Sequence, residues 1–342
     1  MKFGPAAIKD AEGAILAHSV TVGKKRLRKG QVLSADHIVS LEEAGITDVT
    51  VARLGPGDLH EDEAASLVAA ASIEGMGDGL SLSRAFTGRV NVIADGPGVV
   101  LLDAVRLREA NRVNPMITVA TVPPFQQMAS GGMVATVKII SYGVPGEDVA
   151  RAADHARGSL RLARPEIASA SLIVTEIAGG AGEKGRDAIA GRLEALGVEL
   201  AEVVRVPHET GALAQALAGA RGAAILILTG SATSDSADTG PEALRRAGGR
   251  VDRFGMPVDP GNLLFIGALG QRPVIGLPGC ARSPALNGAD WVLSRVVCGV
   301  EVSHEDIAAM GVGGLLKEIP TRPMPRRGKA RAGKAPGPGT KS

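Results

Sequence analysis

The sequence predicts an α/β protein: a C-terminal domain on a mostly parallel sheet with helices packed on its faces, preceded by a smaller α+β domain. Three observations carry this prediction. From Ser169 onward short apolar runs alternate with segments of helical spacing, the order that a parallel sheet with crossover helices requires. The chain has 342 residues, more than one average domain needs and enough for two cores. Its 46 glycines and 20 prolines, set against one Trp, one Tyr and five Phe, call for many tight turns around cores of Ala, Val, Leu and Ile.

The C-terminal elements follow in order. Residues 171–178 (SLIVTEIA) form a short apolar strand. A glycine cluster comes next, then a helix over about 185–196, in which Ile189, Leu193 and Leu196 recur at helical spacing. Residues 198–206 read as the second strand, 211–220 as the second helix, and 223–228 (AAILIL) as a third, fully apolar strand. After a polar loop a helix covers 241–247, with Pro241 suited to its first position. A further strand at 273–277 leads to a closing helix at 285–297.

The N-terminal part is less regular. Residues 11–17 suit a helix or a strand entering the fold, and 34–44 a helix with Ser34 as N-cap and His37 at its fourth position. Gly45 ends that helix in the left-handed conformation. A strand at 49–54 and a helix at 64–71 follow, and 90–105 and 133–140 supply strands of an α+β unit. Residues 146–164 read as a helix and linker stopped by Pro165, which puts the domain boundary near 165. The expected division is therefore 1–165, 166–315 and a tail, 316–342, where apolar content collapses and Pro, Gly and basic residues accumulate. Such a tail is expected to be disordered and solvated, or to tether another domain or an acidic partner.

Charge and cysteine content exclude several classes. The net charge is +2, but residues 317–342 carry +7 of it, so the remainder is mildly acidic and unsuited to nucleic acid. So few aromatics cannot supply stacking platforms for single strands. Cys280 and Cys298 cannot build a secreted disulfide framework, and no cysteine and histidine cluster has zinc spacing. The first ten residues lack a basic stretch followed by an apolar core, and no apolar run nears the ~18 residues of a membrane span. A cytoplasmic protein with no membrane contact is expected.

Two loops carry the chemistry. TGSATSDSADTGPEA, residues 229–243, follows the apolar strand AAILIL directly, at a strand's carboxyl end, where open α/β sheets place ligands. Thr229, Gly230, Ser231 and Thr233 offer N–H and hydroxyl donors to a phosphate, and Asp238 either holds a cation such as Mg2+ or caps the next helix. IGLPGCARS, residues 275–283, again runs from a strand through Gly towards a helix. Here Gly279 permits close approach, Arg282 supplies positive charge, and Ser283 can cap or touch a ligand. Two such loops at one sheet edge make a concave site for a phosphorylated ligand.

On these residues the chain resembles the MoaB/Mog family. The first loop is similar to that family's TGGTG loop with its downstream Asp and Pro-acid-Ala ending, here Pro241, Glu242 and Ala243; the second is similar to its LPG loop. The resemblance implies a three-layer α/β/α domain that binds molybdopterin, or the molybdenum cofactor, with roles for Thr229, Gly230, Ser231 and Asp238 and for Leu277, Pro278, Gly279 and Ser283. It also implies a homo-oligomer acting in cofactor biosynthesis, maturation or delivery to a molybdoenzyme, or beside a nucleotidyltransferase. Residues 11–20 (AEGAILAHSV) and 27–54 resemble part of the MoeA-type molybdenum insertases, in a turn, helix and strand pattern. No active-site residue is transferred from that stretch.

The departures carry their own expectations. His208 in RVPHET stands where the family pattern has an acidic residue, and serves either a structural or a catalytic role. Cys280 stands where the insertase pattern has Asn, as an inert small residue or as a soft ligand near molybdenum or the dithiolene. If the protein is an active molybdopterin adenylyl- or molybdenumtransferase, Asp238 and His208 are its catalytic pair, with Mg2+ and ATP as cofactors. A rival reading takes residues 180–185, a formal G-x-G-x-x-G, with Glu199 and Glu202 near the end of the next strand, as a dinucleotide-binding oxidoreductase. A ligand-free interaction module is the remaining class.

Overall fold

The computed structural model describes residues 1–179 and 185–316. Positions 180–184 of the glycine motif and the basic tail 317–342 lie outside the described residues. Among the described residues no helix is long and apolar enough to cross a membrane.

Residues 1–165 contain two hydrophobic clusters. The first lies beneath an antiparallel sheet of Lys2–Ala7, Asp48–Arg53 and Ile15–Leu16, where Ile8, Leu16, Leu33, Leu41 and Val49 are buried. The helix Ala35–Glu43 packs there with Ser34 as its N-cap, as expected, and His37 completes a reciprocal box with it. Gly45 takes φ +73°. Residues 11–14, expected in a helix or strand, are instead turn, because only Ile15–Leu16 reaches a strand partner.

The second cluster lies between the sheet Ile117–Thr121, Met133–Ile139, Arg89–Ala94, Leu80–Leu82 and the helices Glu61–Ile73, Ala104–Val113 and Gly146–Ala156. The stretch 146–164 is a helix followed by a strand, not a linker: Leu160–Ala163 pairs antiparallel with Gly98–Leu102 and buries Leu160 and Leu162. Val99 and Ala163 also belong to the C-terminal core, so packing continues across the expected boundary.

The C-terminal chain runs β1 (Ser169–Glu176), α1 (Arg186–Glu194), β2 (Glu199–Pro207), α2 (Thr210–Gly219), β3 (Ala224–Leu228), α3 (Thr239–Arg246), β4 (Arg250–Phe254), β5 (Phe265–Leu269), β6 (Arg272–Leu277), α4 (Gly288–Val297) and α5 (His304–Ala309). The sheet order is β2-β1-β3-β6-β5-β4. The first four strands are parallel, and β5 runs antiparallel to both β6 and β4. Strand periodicity sends alternate residues to opposite faces. Leu172, Leu226 and Ile275 meet Ile189 and Leu193 of α1 and Val292 of α4, whereas Ile173, Ile225 and Ile227 meet Leu213 and Leu217 of α2 and Leu244 of α3.

Strands β4 and β5 were not legible in the sequence. RVDRF carries three charges, and FIGAL draws its place in the sheet from a tertiary pairing. Phe265 lies directly across from Gly276 of β6, and a Cβ at Gly276 would stand 1.9 Å from its ring. Glycine on the central strand thus makes room for the aromatic side chain on its neighbour.

Candidate functional site

Strands β1, β2, β3 and β6 are parallel neighbours, so their carboxyl ends, at Glu176, Pro207, Leu228 and Leu277, fall on one edge of the sheet. His208 follows β2, the TGS loop follows β3, and the LPG loop follows β6. The three segments singled out in the sequence therefore converge.

The TGS loop is folded on its own polar groups. Thr229 is buried, and its hydroxyl donates to the Ser231 carbonyl at 2.6 Å and lies 3.4 Å from the hydroxyl of Thr233, also buried. Ser231 is exposed. The Gly230 N–H donates to Thr175 Oγ1 at 2.8 Å, and a Cβ at Gly230 would stand 2.7 Å from the Thr175 carbonyl oxygen. A glycine is required there because the β1 backbone passes so close.

Thr175, at the end of β1, was not anticipated. Its side chain is 1 % exposed, and its Oγ1 also shares a 2.8 Å hydrogen bond with His208 Nδ1. One buried hydroxyl thus joins the ends of β1, β2 and β3, and satisfies its own need for partners. The signal in the sequence was a single polar residue interrupting an apolar strand, SLIVTE.

Asp238 caps α3. Its Oδ2 accepts from the Ser234 N–H at 2.9 Å and its Oδ1 from the Thr239 N–H at 2.7 Å. The Ser234 amide is the main cause holding this carboxyl below its ordinary pKa, with the Thr239 amide and the charge of His208 adding to it. Helix α3 begins at Thr239, so Pro241 is its third residue and not its first. Asp238 supplies the side-chain cap two residues earlier than a proline start requires. Among the described residues no group of three or more His, Cys, Asp or Glu side chains is placed to hold a metal ion.

In the LPG loop Leu277 and Pro278 are buried, Cys280 and Arg282 half-buried, and Gly279 and Ser283 exposed. Gly279–Arg282 forms one 3-10 turn. A Cβ at Gly279 would meet nothing within 4 Å. Arg282 Nη2 donates to the Thr229 carbonyl at 2.9 Å, joining the two loops, and burial lowers the guanidinium's pKa. Gly185, at φ +105°, packs beneath this side chain: a Cβ there would stand 2.8 Å from Arg282 Cγ. Gly185, Asp187, Gly279, Cys280, Arg282 and Ser283 line an open cleft of about 610 Å3.

The loop is held from behind by Arg192 of α1, also unanticipated. Its side chain is 9 % exposed, its Nε pairs with Asp290 at 2.5 Å, and its Nη groups donate to the carbonyls of Ala281 at 2.9 Å and Ser283 at 2.8 Å. An arginine on the face of a short helix gave no sequence signal of this role. The closing helix α4 starts at Gly288, three residues later than expected, because Asn287, in a reciprocal box with Asp290, is its cap. Ser283 Oγ instead accepts from the Ala285 N–H at 3.2 Å.

Residues 170–295 match the sequence family described as "Probable molybdopterin binding domain". The matched segment spans β1 to α4 and includes both loops, His208, Thr175 and Arg192. Residues 5–53 match a second family, "Domain of unknown function (DUF8806)". No curated protein matches the chain. Among solved structures it is similar to a molybdopterin biosynthesis moea protein from Pyrococcus horikosii, at 13% identity over 87% of this chain and 75% of that one, with a TM-score of 0.30. It is also similar to a molybdenum cofactor biosynthesis protein from Pyrococcus furiosus, at 12% identity over 88% of this chain and 66% of that one, with a TM-score of 0.25.

The dinucleotide reading requires an acidic residue at the end of the second strand. Glu199 instead opens β2, and Glu202 lies four residues along a strand that runs on to Pro207. The Glu202 carboxylate accepts from Ser171 Oγ at 2.6 Å and from the Arg221 amide at 2.7 Å, toward the opposite sheet edge from the loops. Both expectations are corrected by the positions of Glu199 and Glu202 within β2, whose carboxyl end is Pro207.

Proposed function

We propose that the C-terminal domain binds molybdopterin through its phosphate, between the TGS and LPG loops, and serves molybdenum-cofactor biosynthesis, maturation or delivery. The observation that carries this reading is the bond from Arg282 to Thr229, which joins, inside the family-matched segment, the two loops whose composition suits a phosphate. The donor set fits a phosphate monoester. The leading N–H groups of a 3-10 turn have no acceptor within the turn, Arg282 brings positive charge, and the Ser231 and Ser283 hydroxyls face solvent nearby. The open space around Gly279 leaves backbone accessible to a ligand. In this proposal the sheet with helices on both faces is the three-layer α/β/α arrangement of MoaB/Mog proteins, and the protein acts as a homo-oligomer toward a molybdoenzyme.

Binding without adenylyl transfer follows from the side chains at the edge. Mg2+ prefers hard oxygen ligands, and the edge presents an imidazole, His208, beside one carboxylate, Asp238, whose oxygens already accept two backbone N–H groups. The test is release of a fluorescent oxidised pterin from the purified protein, together with molybdopterin titration of the wild type and Gly279→Val. Loss of binding by a folded Gly279→Val supports the reading; equal affinity refutes the placement, and failure of the folded wild type to bind removes the function.

A further inference from the structure

A second cleft, of about 510 Å3, lies away from the loops, where the segment 123–127 of the N-terminal half faces α4 and α5. Its walls are largely apolar, with Pro123, Phe125, Leu286, Trp291, Met310 and Val312 among them. Among the described residues Arg295 is the one basic side chain on its lining. That side chain is 9 % exposed, and its guanidinium lies 3.8 Å from the centre of the Phe125 ring. Among the described residues its buried Nε has no hydrogen-bond partner. Burial lowers its pKa, with Asp306 acting in the opposite sense, but an arginine remains protonated at neutral pH.

The two acidic side chains on the lining are already engaged. Asp290 holds Arg192 and the Asn287 N–H, and Asp306 accepts from the N–H and hydroxyl of Ser303 at 2.8 and 2.6 Å. A buried guanidinium whose Nε lacks a partner among the described residues is costly to keep, and its planar fork matches a carboxylate. Phe125 is held at φ +61°, a conformation a bulky residue rarely adopts, and this places its ring beneath the guanidinium.

We propose that this cleft binds a small organic monocarboxylate with a flat apolar body, its carboxylate on Arg295 and its body against Phe125, Trp291 and Met310. A singly charged ligand fits better than a phosphate, because one guanidinium faces it while Asp290 and Asp306 repel a second charge. The cleft shares no lining residue with the one at Gly279, although Asp290 on its lining pairs with Arg192, which braces the LPG loop.

Trp291 is the single tryptophan of the chain, so its fluorescence reports occupancy of this cleft. The experiment titrates the full chain with phenylacetate and with its neutral isostere phenylacetamide. A saturable Trp291 response to phenylacetate is expected, with affinity about tenfold weaker for the amide and about tenfold weaker in Arg295→Met. Leu286→Glu, at a rim position 55 % exposed, serves as a second variant whose folding is not at risk, and its added charge should weaken phenylacetate several-fold in a salt-dependent way. Equal affinity for acid and amide, unchanged binding in both variants, or no response up to ~10 mM phenylacetate, the weak end for a ligand of this size, overturns the proposal.

Discussion

Replacing Thr175 by Val removes one oxygen and keeps the side chain's shape. The lost atom accepts the Gly230 N–H at 2.8 Å and pairs with His208 Nδ1 at 2.8 Å. A buried donor left without an acceptor costs about 1–3 kcal/mol. Gly230 and His208 are only half-buried, so water can partly replace what each loses, which places the expected loss in the lower half, about 1–2 kcal/mol. Urea unfolding measures this from the midpoint at constant slope. Ser231→Ala is the control, since its exposed side chain makes no such bond and the change should stay within about 0.5 kcal/mol. Because the same oxygen pins the TGS loop to β1, Thr175→Val should also weaken molybdopterin. A loss below about 0.5 kcal/mol with unchanged pterin affinity would show that Thr175 does not organise the edge.

Three further outcomes follow from the same geometry. Arg192→Leu leaves Asp290 unpaired and frees the carbonyls of Ala281 and Ser283, so it should cost about 3–5 kcal/mol and loosen the LPG loop, read by unfolding and by hydrogen exchange at 279–283. Burial, and then the charge of Glu166, push the Cys298 thiol up to about 11, so at mildly alkaline pH a thiol reagent should label Cys280 and spare Cys298; rapid modification of both in native protein would contradict that burial. His208→Asp places a second carboxylate near Asp238 and should confer or raise Mg-ATP-dependent turnover with molybdopterin, whereas brisk adenylyl transfer by the unmodified protein would show that the imidazole is no obstacle.

The parallel strands and their helices were legible because local pattern and tertiary role coincide there: SLIVT and AILIL are buried on both faces, and the Ser34 cap is written in adjacent residues. Strands β4 and β5 were not, because their partners are distant and one is highly charged. Within 146–164, read as a helix and linker, the strand was missed because the four residues Leu160–Ala163 are too short to alternate visibly, and their strand character comes from pairing with Gly98–Leu102. At the site, the glycines and prolines of the two loops announced themselves, since such residues report backbone requirements directly. Thr175 and Arg192 did not, because each acts on residues far along the chain. Only the fold brings Thr175 to Gly230 and Arg192 to Ser283.

The central claim is that the exposed backbone at Gly279 receives the pterin phosphate. Calorimetric titration of molybdopterin into the wild type and Gly279→Val tests it directly, since the added side chain meets no protein atom within 4 Å of its Cβ and should leave the fold intact. Saturable binding by the wild type, lost in a variant with an unchanged unfolding midpoint, is the predicted result; equal affinity of the two proteins would contradict it.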